Sequence, residues 1–275
     1  MKKIILVTGA SAGIGKATAK QLIKEKHIVY GAARRIEKMR DLREMGGFSI
    51  KLDITNDNDV NKAIKRIIDE QGRIDVLINN AGYSVYGSVE DVSKNDARQQ
   101  FDVNLFGLAS LTQEVLPYMR KQKSGHIINV TSIGGKIYMP LGAWYHASKH
   151  AVEGWSDCLR LETKQFGIKV SIIEPGSIET EFGNIMYQPF LNRSKGGSYE
   201  DISKGIVKAL KGANNGSSST FPDVIAKTIL IAINSKNPRT RYAAGKLAKP
   251  ILFCRKWLSD NAFDKIMMIM MNRLS

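Results

Sequence analysis

The chain has 275 residues, of which 43% are hydrophobic and 24% charged, with a formal net charge of +15. These values are typical of a globular protein and exclude a disordered or collagen-like chain. No apolar run is long enough to cross a bilayer, and the apolar run near the N-terminus leads into a glycine pattern instead of a signal-peptide cleavage site. Two distant cysteines, Cys158 and Cys254, indicate a reducing, cytoplasmic setting.

The basic charge is concentrated at the two ends of the chain. Residues 1–50 contain eleven lysines and arginines against four acidic residues, and residues 236–275 contain nine against two. This distribution suits anionic ligands or surfaces, although solubility alone explains it equally well. We expect no nucleic-acid binding, because the basic segments lack a recognisable reading motif, and we expect no metal site.

The first two thirds of the chain alternate short apolar runs with longer helical patterns, which is typical of βαβ units. The predicted strands are Ile4–Thr8, Ile28–Ala32, Phe48–Leu52, Ile74–Asn79, His126–Thr131 and Ile168–Glu174. The predicted helices are Gly13–Lys26, Ile36–Met45, Asn56–Gln71, Lys94–Lys121 and Ala143–Phe166. We therefore predict an α/β fold, a doubly wound Rossmann-type parallel sheet within a single domain over residues 1–275.

After Glu174 the alternation breaks. Residues 176–200 are rich in glycine and proline and are predicted to be irregular, and Ala209–Thr220 is predicted to be a loop. Together, residues 176–220 are interpreted as a lid over a substrate. A helix is predicted over Phe221–Asn234 with Thr220 as its N-cap, followed by a short strand over Arg241–Ala244. Residues 245–275 are predicted to form a helical tail, with a short helix capped by Ser259 or Asp260.

A glycine-rich turn follows the first strand and opens the first helix. Gly9, Gly13 and Gly15 stand in a GxxxGxG pattern, with Ser11 and Ile14 between them. Glycines permit close backbone approach, and a helix N-terminus presents free N–H groups to a pyrophosphate. The turn therefore indicates a dinucleotide-binding site.

Together with the motifs that follow it in order, this turn resembles the short-chain dehydrogenase/reductase family. The motifs are TGxxxGxG at Thr8–Gly15, NNAG at Asn79–Gly82, then Asn104, Ser132, YxxxK from Tyr145 to Lys149, and Pro175-Gly176. The resemblance covers roughly residues 3–182. It implies a nicotinamide cofactor, an oxidoreductase activity and a homo-oligomeric assembly.

The residue types suit proton transfer beside a hydride transfer. Tyr145 and Lys149 lie one helical turn apart, so both can face one cleft, and the ammonium charge is expected to bring the tyrosine pKa closer to neutral. Ser132 can hydrogen-bond the same substrate oxygen. The resemblance further implies that Lys149 contacts the nicotinamide ribose and that Asn104 supports a water-linked proton path.

Cofactor choice depends on the end of the second strand. Arg34 and Arg35 stand there, with Lys38 one turn later, and arginines match a 2′-phosphate. We therefore expect NADP(H) rather than NAD(H), although Ala12 stands where many NADP-preferring relatives carry a second basic residue. The resemblance assigns further cofactor contacts to Tyr145, Lys149, Asp53, Ile54, Asn80, Ala81, Gly82, Pro175, Gly176, Ile178 and Thr180.

The predicted reaction is hydride transfer between NADP(H) and a small-molecule carbonyl or secondary alcohol. Residues 237–242 and the basic, Met-rich tail look like family members acting on steroids, retinoids or other lipophilic carbonyls. Alternatives are a 3-oxoacyl thioester reductase and a non-catalytic cofactor-binding regulator, although the latter usually lacks the tyrosine or lysine. The tail either makes peripheral contact with an anionic membrane or packs on its own domain or a second subunit.

Overall fold

A parallel sheet forms the centre of the molecule. The computed structural model describes residues 2–214 and 220–272. Seven strands pair in the order β3-β2-β1-β4-β5-β6-β7, and every neighbouring pair is parallel. The strands are β1 Ile4–Thr8, β2 Ile28–Ala33, β3 Phe48–Lys51, β4 Val76–Asn79, β5 Gly125–Val130, β6 Ile168–Pro175 and β7 Arg241–Ala244. The predicted doubly wound sheet is confirmed.

The order of the strands reverses between β1 and β4. In sheets of this kind, a crevice opens at the carboxyl ends of the strands beside that reversal. The turn after Thr8 and the loop after Asn79 therefore lie at the same edge, where the glycine turn and the NNAG motif meet.

Helices cover both faces of the sheet because each strand is apolar on both sides. In β1, Ile4 and Leu6 belong to one core cluster and Ile5 and Val7 to the other. The helices are α1 Gly13–Lys24, α2 Arg40–Glu44, α3 Asp57–Gln71, α4 Lys94–Phe101, α5 Leu108–Gln122, α6 Ala143–Thr163, α7 Glu181–Ser194, α8 Glu200–Asn214, α9 Pro222–Asn234, α10 Ala248–Trp257 and α11 Asp260–Asn272. The first cluster is covered by α3, α5 and α6, and the second by α1, α2 and α9.

The helix predicted over Lys94–Lys121 is divided in the structure into the two α-helices α4 and α5. A π-helical turn over Asp102–Gly107 joins α4 to α5. Gly107 permits close packing there, since a Cβ on it would lie 2.7 Å from the carbonyl oxygen of Ile54. A π turn inserts an extra residue into the helix, and such turns are frequent at functional sites.

The prediction of an irregular segment over residues 176–200 is wrong for most of its length, because α7 occupies Glu181–Ser194. Met186, Tyr187 and Phe190 recur at helical spacing and are buried. The burial of this apolar face outweighs the helix-breaking tendency of Pro189, which lies inside the helix.

Two further details near the lid also differ from prediction. The helix α8 extends to Asn214, so the first part of the loop predicted over Ala209–Thr220 is helical. The buried side chains of Ile206 and Val207 anchor this helix. Residues 215–219 lie outside the described range. Thr220 does not cap α9, because Phe221 is the N-cap residue. The Thr220 hydroxyl instead accepts a hydrogen bond from the Lys246 backbone N–H at 3.0 Å.

Candidate active site

The glycine turn and the NNAG loop are locked together by Thr8 and Asn80. The Thr8 hydroxyl accepts hydrogen bonds from the backbone N–H groups of Asn80 and Ala81, at 2.9 and 3.0 Å. The Asn80 side chain donates to the Thr8 carbonyl at 2.9 Å. A Cβ on Gly15 would lie 2.4 Å from the Asn80 amide nitrogen, so only glycine fits there. The two motifs therefore form one rigid floor.

This floor opens into a cleft of about 510 Å³ at the carboxyl ends of the strands. Of the predicted site residues, those lining the cleft are Gly9, Ser11, Gly13, Ile14, Arg34, Arg35, Asp53, Ile54, Asn80, Ala81, Gly82, Ser132, Tyr145, Lys149, Pro175, Gly176, Ile178 and Thr180. Gly15 lies beneath the floor, and Asn104 lies behind the NNAG loop.

The geometry of the cleft fits a nicotinamide dinucleotide. Gly9 and Gly13 adopt φ values of +67° and +53°, which favour glycine. The helix α1 begins after Ala12 with no side-chain cap, so its first N–H groups are available to a pyrophosphate. Arg34 and Arg35 follow β2, and Ser132 follows β5, three strands away in the sheet. The cleft therefore extends from these cations to Tyr145, which matches a ligand with an anionic adenosine end and a reactive nicotinamide end.

Tyr145, Lys149 and Ser132 meet at one end of the cleft. Tyr145 and Lys149 are both buried on α6, and the Ser132 hydroxyl lies within hydrogen-bond range of the tyrosine. Ser132 also accepts a hydrogen bond from the Gly134 N–H at 3.0 Å. The Lys149 ammonium donates to the Val130 carbonyl at 3.1 Å. Sequence reasoning thus found three side chains that the fold brings together.

The predicted lowering of the tyrosine pKa is wrong for the protein alone. Burial raises the pKa of Tyr145, and the hydrogen bond with Ser132 only partly opposes this. Burial likewise lowers the pKa of Lys149 to about 8, although the negative charge of Glu153 acts to raise it. The reason is that water is excluded around both groups, which favours the neutral phenol and the neutral amine.

Asn104 has a structural position that the motif alone does not reveal. Its side-chain nitrogen donates to the Tyr83 carbonyl and to the Ser148 hydroxyl, each at 3.0 Å, and its oxygen accepts from the Tyr83 N–H at 3.1 Å. These bonds tie the chain after the NNAG loop to α6. The π turn that carries Asn104 thereby fixes the wall of the cleft, and the proton-path role stays a prediction.

A carboxylate that sequence reasoning missed lies against the predicted phosphate site. Glu181, the first residue of α7, is 3.3 Å from both the Arg35 guanidinium and the Lys38 ammonium. Arg35 also donates to the Ser11 hydroxyl at 3.4 Å. Since Glu181 lies 146 residues from Arg35 in sequence, no local pattern could reveal this contact.

Apolar side chains pack against Tyr145 from the lid side. We call this group the lid cluster; its buried members besides Tyr145 are Tyr86, Leu141, Met186, Tyr187, Phe190, Ile206 and Val207. They come from the loop after β4, the loop before α6, and the helices α7 and α8. Met186 lies in both the lid cluster and the cleft lining. The lid side of the cleft therefore contributes the apolar side chains of Ile185 and Met186 to its lining.

Behind the cleft lies a buried charge network. The Glu153 carboxylate is 2.9 Å from the Lys136 ammonium and 3.0 Å from the Arg241 guanidinium, and it accepts from the Thr131 hydroxyl at 2.7 Å. Glu174 lies 3.6 Å from the same arginine. Burial and the charge of Glu153 raise the pKa of Glu174 to about 7. The network connects the segment after β5 with α6, β6 and β7.

The fold and this site together define an oxidoreductase of the nicotinamide-dependent kind, and the chain belongs to the short-chain dehydrogenase family. The family model described as short chain dehydrogenase matches residues 3–188. None of the helices within residues 2–214 and 220–272 is both long enough and apolar enough to cross a membrane.

Similar proteins of known name support the assignment. The chain is 39% identical to a 3-ketodihydrosphingosine reductase of Bacteroides thetaiotaomicron, covering 94% of each protein. A short-chain dehydrogenase from Streptomyces avermitilis superposes with a TM-score of 0.80 at 30% identity, covering 99% of this chain and 96% of that one. The closed form of serine dehydrogenase complexed with NADP+ gives a TM-score of 0.77 at 27% identity, covering 89% of this chain and 95% of that one.

Proposed function

We propose that the protein is an NADPH-dependent reductase of a ketone carried by a lipophilic molecule. The observation that carries this proposal is the lid cluster, which packs apolar side chains around Tyr145 and brings Met186 into the lining of the cleft. An apolar pocket with a few placed polar groups is the usual form of a site for a hydrophobic small molecule. The similarity to a 3-ketodihydrosphingosine reductase supports a keto substrate of this class.

In this mechanism Tyr145 donates the proton to the carbonyl oxygen. Its raised pKa keeps the phenol neutral at physiological pH, which is the form that donates. Ser132 holds the substrate oxygen beside the phenol, and the Lys149 ammonium stabilises the phenolate that forms. When bound, the nicotinamide supplies the hydride. The lid cluster excludes water from the reacting atoms.

The preference for NADPH is supported by the charges at the end of β2. Arg34 and Arg35 line the cleft, and Lys38 lies close enough to share Glu181 with Arg35. Arg34 and Arg35 directly follow β2, where a carboxylate would bind a 2′-hydroxyl, so this position suits a 2′-phosphate better. Asp53 and Ile54, further along the same edge, line the cleft where an adenine would lie.

The experiment is NADPH oxidation against ketones whose apolar chains increase in length, with acyl thioesters and short ketones in the same panel. We expect kcat/KM to rise with chain length, and Tyr145→Phe to lose at least roughly a hundredfold. Arg34→Ser with Arg35→Ser should raise the KM for NADPH roughly tenfold or more and leave that for NADH unchanged. A preference for NADH, or full activity of Tyr145→Phe, would overturn the proposal.

We also infer a homo-oligomer that forms through the long helices α5 and α6. The support is exposed apolar surface there: Leu161 on α6 is 69% exposed, and Phe106, next to the start of α5, is 60% exposed. Sedimentation velocity of Leu161→Lys tests this, since a buried lysine at the interface should favour the monomer.

A further inference from the structure

The C-terminal hairpin of α10 and α11 exposes large apolar side chains beside lysines. Lys249, Phe253 and Trp257 are spaced by four residues, so they share one face of α10, with Lys256 next to Trp257. Phe253 is 66% exposed and Trp257 is 67% exposed. Their rings lie 6.3 Å apart, and the Lys256 ammonium lies 5.3 Å from the Trp257 ring. We call these four residues the docking face.

The other side of the hairpin is firmly packed, so the docking face does not result from fraying. Phe263 and Met267 of α11 are buried against Ile137. The Tyr138 hydroxyl donates to the Asp264 carboxylate at 2.9 Å. The Arg255 guanidinium lies over the Tyr138 ring, 5.2 Å from its centre. The hairpin is therefore held in place while its outer aromatic side chains remain in water.

The charges of the hairpin favour an anionic partner. Both acidic residues of the hairpin already have partners in the protein. Asp260 pairs with Arg255 at 2.7 Å, and Asp264 accepts a hydrogen bond from the Tyr138 hydroxyl. Over the part of the chain that the structure describes, Lys249 and Lys256 have no carboxylate within ion-pair distance. Lys249 and Lys256 would face the same lysines of a second copy placed on this face, and that repulsion disfavours self-association here.

The combination of exposed Trp and Phe with unpaired lysines fits the surface of an anionic lipid bilayer. Tryptophan and lysine are amphipathic, so they place apolar atoms at the acyl boundary and polar atoms among the headgroups. Each lysine near such a surface adds attraction. The exposed Met268 and Ile269 of α11 extend the apolar surface of the hairpin.

The hairpin also adjoins the substrate end of the molecule. Met139 packs against both the lid cluster and the cluster of Ile137 and Phe263. The helix α11 contacts the lid helix α8. We propose that the docking face binds the surface of an anionic membrane and holds the lid cluster next to the lipid phase. The membrane contact stands on the hairpin alone, and its purpose, access of a lipophilic ketone, rests on the proposed function.

The experiment is co-sedimentation of the full chain with vesicles of equal parts phosphatidylglycerol and phosphatidylcholine, and with pure phosphatidylcholine. We expect binding to the anionic vesicles that weakens with salt. Lys249→Glu with Lys256→Glu should lower the partition coefficient roughly twentyfold, and Phe253→Ser with Trp257→Ser roughly tenfold. The Trp257 emission should shift to the blue on binding, and Trp257→Phe should abolish that shift.

Matched controls carry Phe→Ser and Lys→Glu substitutions at exposed positions outside the docking face. Phe221 is 65% exposed at the start of α9, and Lys62 and Lys121 are exposed on α3 and α5. Phe221→Ser and the pair Lys62→Glu with Lys121→Glu should bind vesicles like the unchanged protein. Equal losses in the controls, or a change of oligomeric state in Phe253→Ser with Trp257→Ser, would overturn the docking proposal. Activity on a short water-soluble ketone without vesicles tests the proposed function separately.

Discussion

The carboxylate of Glu181, at the start of the lid helix α7, lies 3.3 Å from the guanidinium of Arg35, which follows β2. It lies equally close to the ammonium of Lys38. These cations are the ones that the proposed 2′-phosphate would use. A carboxylate of the lid and a phosphate of the cofactor would therefore compete for the same charges.

Glu181→Gln should consequently bind NADPH more tightly, because the competing charge is removed. The pair is partly exposed, so we expect a gain of about two- to fivefold, with no change for NADH. Fluorescence titration with both cofactors measures this. Glu200→Gln is the control, since Glu200 begins the other lid helix and pairs with Lys204. Equal gains for NADPH and NADH would contradict the competition.

Glu153 should set the alkaline limb of the pH profile through Lys149. Burial lowers the pKa of Lys149 to about 8, and the charge of Glu153 acts to raise it. The rate of carbonyl reduction should therefore fall above about pH 8, where the ammonium is lost. Glu153→Gln removes the charge that sustains the ammonium, so this limb should move to lower pH.

The pH dependence of kcat/KM measures that shift, with Thr131→Val as the control. This control removes the 2.7 Å hydrogen bond to Glu153 but keeps the carboxylate charge. An unmoved limb in Glu153→Gln, at a melting temperature that shows an intact fold, would exclude an electrostatic role for this residue.

Glu174 should make the protein less stable as the pH rises from about 5 to 8. Burial and the charge of Glu153 raise its pKa to about 7, above the ordinary value of 4.5. A raised carboxyl pKa stabilises the fold below the ordinary value, and that stabilisation is lost as pH passes the folded-state value. Between pH 5 and pH 8, Glu174→Gln should therefore gain about 2–3 kcal/mol of stability relative to the unchanged protein.

Urea unfolding at both pH values measures this difference. The exposed Glu162 of α6 supplies the control, because Glu162→Gln removes a carboxylate that lies outside this buried network. A Glu174→Gln protein that loses stability at pH 8 would indicate that the ion pair with Arg241 outweighs the burial.

Gly15→Ala should disrupt the floor of the cleft. The added Cβ would lie 2.4 Å from the Asn80 amide nitrogen and 2.5 Å from the Gly9 carbonyl oxygen, so the glycine turn and the NNAG loop must separate. We expect a loss of stability of about 1–3 kcal/mol and loss of cofactor binding. Gly154→Ala is the matched control, since an alanine there meets nothing within 4 Å on the exposed face of α6.

Thermal unfolding and cofactor titration of both variants test this. Gly154→Ala should stabilise the protein by about 0.5–1 kcal/mol, because glycine is a poor helix former. A Gly15→Ala protein that binds cofactor normally would show that the floor can rearrange.

The sequence alone determined the parts that depend on local pattern. Apolar runs rich in Val, Ile and Leu predicted the first six strands to within a few residues. The glycine turn, NNAG, Ser132 and YxxxK predicted the groups that line the cleft. The fold prediction was confirmed, and these groups meet in one cleft, because the carboxyl ends of parallel strands must meet at one edge, whatever the details of packing.

Tertiary structure decided what depends on distant neighbours. It placed Glu181 on the cations of β2, gave Asn104 a structural partner in Tyr83, and turned a segment with Pro189 into a helix by burying its apolar face. It also reversed the expected pKa shift of Tyr145, since the removal of water around the phenol outweighs the hydrogen bond with Ser132. Burial and charge depend on everything that surrounds a residue, and the motif that contains Tyr145 holds only a small part of that surrounding.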